Sequence, residues 1–226
     1  MRSTEWARAA REYLVPKLPG AWGHRNALLY QQPIDWLLCY VVMQTRPGSR
    51  SFQMSADIQL LCEPAEYLIA DLSLDKRATQ LGRFRDLPED LVLAEPVMAE
   101  IAGAISGEVV PFFARFGDLP TYAIAAELHA WTSNGLNCHF HERLFYSRLL
   151  LGDFPAALAA AEVAERTGRS DDREWAHDLA DRVAAIATAA RRDQAEAVAL
   201  LKAQAAWSRT KLRLPLAGDR RGSPPY

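Results

Sequence analysis

The sequence predicts an α+β protein: an N-terminal helix, an antiparallel meander of three to four strands, then an all-helical C-terminal half containing a helical hairpin. Three observations carry that reading. Apolar and polar residues alternate through 52–62, a Pro-Gly turn separates that run from an apolar run before it, and beyond Pro96 the apolar residues recur at helical spacing. Strands and helices therefore fall in separate stretches of chain, as in α+β folds.

The first helix rests on Trp6, Ala10, Tyr13, Leu14 and Leu18, which share one face. Val15-Pro16 and Leu18-Pro19-Gly20 end it, because proline lacks the amide donor and restricts the residue before it. Residues 36–43 are apolar on both faces, as a central strand covered from two sides requires. Thr45-Arg46-Pro47-Gly48-Ser49 then reads as a type II turn, with glycine where positive φ is needed. Across 52–62, Phe52, Met54, Ala56, Ile58, Leu60 and Cys62 face one way; Ser51, Gln53, Ser55, Asp57 and Gln59 face the other. One buried and one polar face are expected there. Residues 28–32 form a third strand that Pro33 confines to an edge, and 67–74 is the candidate for a fourth.

Residues 75–95 read as loop. After it Ile101, Ile105, Val109, Phe112, Phe113 and Phe116 make an apolar helical stripe, kinked by Pro111. Gly117 suits the helix end and Asp118 the next N-cap. A further helix runs to about Thr132 and is closed by Ser133-Asn134-Gly135. Asn137 caps a helix over 138–151, Gly152-Asp153 turns the chain, and 154–167 forms the partner, stopping at Gly168. From Asp171 a long helix carries Trp175, Leu179, Val183 and Ile186, with a break near Asp193, after which Ala197, Leu201 and Ala205 extend the pattern. The expected organisation is an α+β domain over 1–136 and a helical region over 137–213, with a flexible tail over 214–226. That helical region either stands apart or completes the first core.

Composition narrows the function. The chain has 226 residues, half of them hydrophobic and 24% charged, which suits a folded domain with a sizeable core. A formal charge of -2 argues against a globally basic nucleic-acid binder. Cys39, Cys62 and Cys138 are too few and too scattered for a disulfide scaffold or zinc ribbon, which fits a reducing, cytoplasmic setting. Charges through the first fifteen residues interrupt any signal-peptide core, and the strongest apolar run, 36–43, is shorter than the roughly 20 residues a membrane span needs. Only four of the 26 basic residues are lysines, so an isolated arginine here says little about phosphate.

The phosphate-loop, dinucleotide, nucleophile-elbow and zinc-protease signatures are absent. The densest reactive cluster is Cys138-His139-Phe140-His141-Glu142. Thiolate, imidazole and carboxylate are the usual zinc ligands, and Cys138 is also a candidate nucleophile. On a helix His139 and Glu142 share a face while His141 points elsewhere, so a packed helix start is the competing reading. The short side chains of Gln53, Ser55 and Asp57 offer a flat polar docking face, and Arg83 and Arg85 flank Phe84 in a segment suited to an anion or an acidic partner. A merely solvated face and loop explain both equally simply. The stretch from Leu150 through Leu-Gly-Asp-Phe-Pro to Ala156 is similar to the turn of a tetratricopeptide repeat, without a second copy at the expected period. Arg209, Lys211, Arg213, Arg220 and Arg221 make a basic stretch near the end of the chain.

Several segments together resemble a bacterial family catalogued as domain of unknown function 4304. They are the leading helix with Trp6 and Tyr13, the meander over 28–61, Leu81-Gly-Arg-Phe-Arg-Asp-Leu87, Val110-Pro-Phe-Phe-Ala-Arg-Phe116, and the His-rich helix with its Leu-Gly-Asp turn. The resemblance implies an α+β fold and brings no catalytic residues; some members of such families resemble immunity proteins that neutralise toxins. The functional expectation is a cytoplasmic, non-enzymatic module that binds a protein partner in an immunity-type or adaptor role, without cofactor, membrane or nucleic acid. The alternative is a small metal- or Cys/His-dependent enzyme using Cys138, His139, His141 and Glu142.

Overall fold

A computed structural model of the chain describes residues 3–45, 49–132 and 137–215, and the α+β expectation holds: an N-terminal helix, an antiparallel curled sheet, then a helical C-terminal half. Two compact units emerge. The first draws on Met1–Gln59 and Ile69–Gly117, the second on Leu60–Leu68 and Asp118–Tyr226.

In the first unit, helix α1 (Ser3–Ala9) continues through a π-helical turn (Ala10–Leu14) into a 3-10 turn (Val15–Lys17), where Pro16 prevents further helix. Trp6, Ala10, Leu14 and Leu18 are buried as their spacing demands, and Trp6 meets Phe52 edge-on at 5.3 Å. The sheet runs β1 (Ala21–Arg25), β2 (Leu28–Gln32), β3 (Leu37–Thr45), β4 (Ser51–Leu60), β5 (Leu72–Ser73), with β6 (Arg85–Asp86) also pairing β4. Residues 46–48 of the expected Pro-Gly turn lie outside the described residues.

Strand β1 had no alternating signature, and its reason is packing. Gly23 lies opposite Tyr30, whose ring occupies the space a Cβ would need, 2.3 Å away. Because β1 pairs outside it, β2 is not an edge strand; Pro33 simply follows its end. The expected solvated face of β4 is also corrected. Ser51 and Gln53 are half-exposed, but Ser55, Asp57 and Gln59 are buried along with Met54, Ile58 and Leu60, so the strand is covered on both sides over its second half. Its polar groups are satisfied locally: Ser73 donates to Asp57 at 2.6 Å, and the Ile69 amide donates to Gln59 at 3.1 Å. Of 67–74, only Leu72 and Ser73 pair as a strand, while Tyr67 is exposed.

The segment expected as loop contains β6 and a 3-10 turn (Leu91–Leu93), leading into α2 (Ala94–Ala104). A π-helical turn (Ile105–Val109) then joins α2 to α3 (Val110–Phe116). Pro111 cannot donate and crowds the carbonyl a turn earlier, and the wider turn ahead of it accommodates that ring. By length and composition this 23-residue stretch, Ala94–Phe116, would be apolar enough to cross a membrane. Glu100 and Glu108 divide it, so it holds no long uninterrupted apolar run. Met98, Ile101, Ile105, Val109 and Phe113 are buried in the protein.

The second unit is a succession of helices, each packed on the next: α4 (Leu119–Thr132), α5 (Cys138–Leu150), α6 (Phe154–Arg169), α7 (Glu174–Arg192) and α8 (Gln194–Leu212). Capping sets these starts, at Asp118 and Asn137 as expected and at Asp193 where only a break was expected. Asp118 accepts from the Thr121 amide at 2.8 Å, Asn137 from His139 at 3.0 Å and Asp193 from Ala195 at 2.9 Å. Residues 133–136, which carry the expected Ser-Asn-Gly closure, lie outside the described residues. Gly152 takes φ 78° in the hairpin turn. Gly168 does not end α6; it lies inside the helix at a close crossing, where a Cβ would come within 2.7 Å of the Ala176 carbonyl. Alanines fill that crossing from both sides, Ala157, Ala160, Ala161 and Ala164 on α6, Ala176 and Ala180 on α7. Small side chains let backbones approach and gain dispersion contacts over the whole line. Near the end of the chain Arg209 is buried in α8, Lys211 pairs with Glu66 at 2.8 Å, and Leu214 is buried, so the expected basic tail begins as part of the folded unit. Residues 216–226, with Arg220 and Arg221, lie outside the described residues.

Candidate functional site

A buried charge cluster in the second unit is the most chemically distinctive feature among the described residues. Helix α5 presents His139, Glu142, Arg143 and Tyr146 at i, i+3, i+4 and i+7, one face of a helix. That face is polar and yet enclosed: Glu142 and Tyr146 are fully buried and Arg143 nearly so. Segment Leu60–Leu68 contributes Glu63, only 2% exposed, in the turn that follows β4, where the Ser208 hydroxyl donates to the Glu63 carbonyl and accepts from the Ala65 amide. Helix α7 contributes Arg182 and Trp175.

Each carboxylate holds its arginine through one main oxygen. Arg143 Nε donates to Glu63 Oε2 at 2.7 Å, with a longer contact from Nη2 to Oε1 at 3.4 Å. Glu142 Oε1 accepts from Tyr146 at 2.9 Å and from Arg182 Nε at 2.9 Å, with Arg182 Nη2 at 2.8 Å. The remaining oxygens converge on the imidazole. His139 Nδ1 lies 3.1 Å from Glu63 Oε1 and 3.7 Å from Glu142 Oε2. Neither approach is aligned for a hydrogen bond, so Nδ1 and Glu142 Oε2 are buried without a hydrogen-bond partner. The His139 ring stacks on Trp175 at 4.8 Å, which Arg173 also covers.

The electrostatics follow. Burial alone would raise the Glu63 carboxyl, but the adjacent Arg143 guanidinium and His139 outweigh it and hold the group down at about 2. Burial would likewise lower His139, and the two carboxylates reverse that, lifting it to about 9. With His139 protonated, three cations face two anions; without that proton, the charges balance. Burial and then Glu142 push the Tyr146 phenol far up, so it stays protonated and donates to Glu142.

The residues singled out from sequence separate cleanly. His139 and Glu142 belong to this cluster. Cys138 does not: it is buried, and burial followed by Glu142 raises its thiol, which opposes both a thiolate ligand and a nucleophile. His141 points elsewhere, as its spacing required, and burial and Arg166 keep it neutral. In the first unit Ser55 and Asp57 are enclosed by the sheet and cannot form the docking face expected of them. Arg85 is also committed internally, pairing with Glu100 at 2.9 Å and donating to the carbonyls of Gln80, Leu81 and Arg83, so it is a clamp on its own loop. Gln53 and Arg83 remain accessible and line an open pocket of about 480 Å³ with Lys76, Arg77, Thr79 and Gln80. No acidic residue lines it, a chemistry suited to a carboxylate or phosphate.

Sequence reasoning missed Glu63, Arg143, Tyr146 and Arg182. The charged residues at i, i+3, i+4 and i+7 of α5 were a legible signal, since a helix packed on both sides has no room for uncompensated charge. Trp175, expected in the core, is 39% exposed; Ala176 and Leu179 carry the buried face instead. Comparison with protein-family models, with curated proteins and with solved structures returned no match for this chain.

Proposed function

We propose that this protein is a non-enzymatic binding module, cytoplasmic and of the immunity or adaptor type, and that the outward face of α4 receives its protein partner. One observation carries this reading. Ile124, Leu128 and Trp131, at i, i+4 and i+7, are 64%, 62% and 77% exposed, while Tyr122, Ala123, Ala126 and Ala130 fill the opposite face. Large apolar side chains grouped along one helix face are usually covered. Nothing among the described residues covers these three side chains. Tryptophan, here at the end of the stripe, is among the residue types that dominate binding energy when a partner buries them. Three buried cysteines outside any disulfide accord with the cytoplasmic part of the proposal, and the immunity-type role is taken from the sequence resemblance to domain of unknown function 4304 alone.

The test is affinity capture from native cytosol with quantitative mass spectrometry, comparing the wild-type chain with Leu128→Glu and Trp131→Ala. A protein recovered near equal stoichiometry with wild type and lost from both variants is the expected result. Equal recovery with both variants overturns the assignment to α4. A wild-type mass of two chains by light scattering, reverting to one in Leu128→Glu, would instead make the face a self-association surface. A second reading, metal-dependent chemistry, has one observation in its favour: the unpartnered ring nitrogen and carboxylate oxygen of His139 and Glu142.

A further inference from the structure

We propose that Glu63, His139 and Glu142 form a divalent-cation site suited to zinc, offering Glu63 Oε1, His139 Nδ1 and Glu142 Oε2. The three atoms lie within 4.8 Å of one another. The imidazole-to-carboxylate separations of 3.1 and 3.7 Å bracket the ligand spacing of about 3.3–3.5 Å that tetrahedral zinc bonds of ~2.0–2.2 Å impose.

Geometry alone would not distinguish this from an ion-pair network. The unsatisfied atoms do. Glu142 is fully buried, yet its Oε2 has no hydrogen-bond partner, and the same is true of His139 Nδ1 beside it. A buried carboxylate oxygen left without a donor is costly, and this one lies 3.7 Å from the imidazole nitrogen. Outside the ligand atoms the usual supporting bonds are already in place. Arg143 fixes Glu63 mainly through Oε2, with a longer 3.4 Å bond to the ligand oxygen Oε1, and Arg182 and Tyr146 fix Glu142 through Oε1. Such outer bonds orient ligands and are part of how metal sites are built. His139, with 35% of its side chain exposed and its ring braced on Trp175, supplies an entrance and leaves the fourth position open to water or another ligand. The two arginines weaken attraction for a cation, and the imidazole binds it through Nδ1 in its neutral form. The ligand set differs from the local Cys-His-Phe-His-Glu cluster, since Cys138 and His141 play no part. It does not depend on the role proposed for α4.

Calorimetric titration of zinc into chelator-stripped protein near neutral pH tests the site, run in two buffers of different ionisation enthalpy. The expected result is one zinc per chain with close to one proton released. Glu142→Gln and His139→Ala should each weaken binding by at least about tenfold, while Cys138→Ser, His141→Ala and Leu128→Glu leave it unchanged. Cobalt(II) added to the wild-type chain should give the strong visible bands of a tetrahedral site, a readout independent of whether any variant folds. Absence of both zinc binding and cobalt bands overturns the proposal. So does binding that survives Glu142→Gln and His139→Ala, or that is lost equally in Cys138→Ser or His141→Ala. Failure of the zinc arm with loss of partner in Leu128→Glu would leave the binding-module reading standing by itself.

Discussion

Helices α4 and α5 are neighbours in sequence and pack together, yet they invert the ordinary pattern in opposite ways. α5 buries Glu142, Arg143 and Tyr146, whereas α4 exposes Ile124, Leu128 and Trp131. The difference lies in compensation. Every charge buried by α5 meets an opposite charge from the same unit, Glu63 for Arg143 and Arg182 for Glu142. The exposed side chains of α4 meet nothing among the described residues. A buried charge that meets its opposite within the unit is compensated there, even where one of its atoms still lacks a hydrogen bond. An exposed apolar stripe that finds no partner points outside the chain.

The largest expected effect comes from breaking the compensation. Arg143→Ala leaves Glu63 buried without its principal cation and should cost about 3–5 kcal/mol in urea unfolding. Replacing both partners, Glu63→Gln with Arg143→Met, should recover most of that loss, because the uncompensated charge is the cost. Recovery absent from the double variant would mean that Arg143 matters for its packing and not for its charge.

Next in size is pH. Glu63 is held near 2 against an ordinary 4.5, so its contribution is present above pH 4.5 and is lost as pH falls toward 2. His139 is lifted to about 9 from 6.5, so its contribution is complete below pH 6.5 and is lost as pH rises through 9. Thermal melts across pH should therefore show a plateau between about 4.5 and 6.5 with a falling alkaline limb. His139→Ala should flatten that limb and also make the acid one shallower, because His139 helps Arg143 hold Glu63 down. Bound zinc would displace the proton and flatten it in the wild-type chain too.

A smaller change separates where the α5 face is placed from what it contains. Asn137→Ala removes the cap that accepts from the His139 amide and should cost about 0.5–2 kcal/mol. The alkaline limb should persist, since the charge pairs remain. Smallest of all is Leu128→Glu on α4. Unfolding free energy should move by less than about 0.5 kcal/mol, as for other exposed positions. A large loss there would show that the stripe is packed within the protein, and the contrast between the two helices would fail.

The order of elements and several of their ends were legible because they are local. Asn137, Asp118 and Asp193 cap helices through bonds to amides two or three residues away, and Gly152 turns the hairpin by its own φ. The shared face of His139 and Glu142 was equally legible from a spacing of three. Where sequence reading failed, the cause was distant. Strand β1 hides behind Gly23, which is explained only by the Tyr30 ring across the sheet. Gly168 looked like a helix stop and is a crossing point against Ala176. The polar alternation of β4 was read as a solvated face, yet alternation records which side chains are polar and says nothing about what later packs over them.

By itself the sequence determined the α+β class, the helical second half, the caps and the separation of His141 from His139, because backbone propensity and helical periodicity act over a few residues. Tertiary structure alone decided that Glu63 joins His139 and Glu142, that Arg143 and Arg182 neutralise them, and that Ser55 and Asp57 are closed off while Ile124, Leu128 and Trp131 stay open. Burial and long-range electrostatics depend on which distant segments share a volume, and that is settled only when the whole chain has packed.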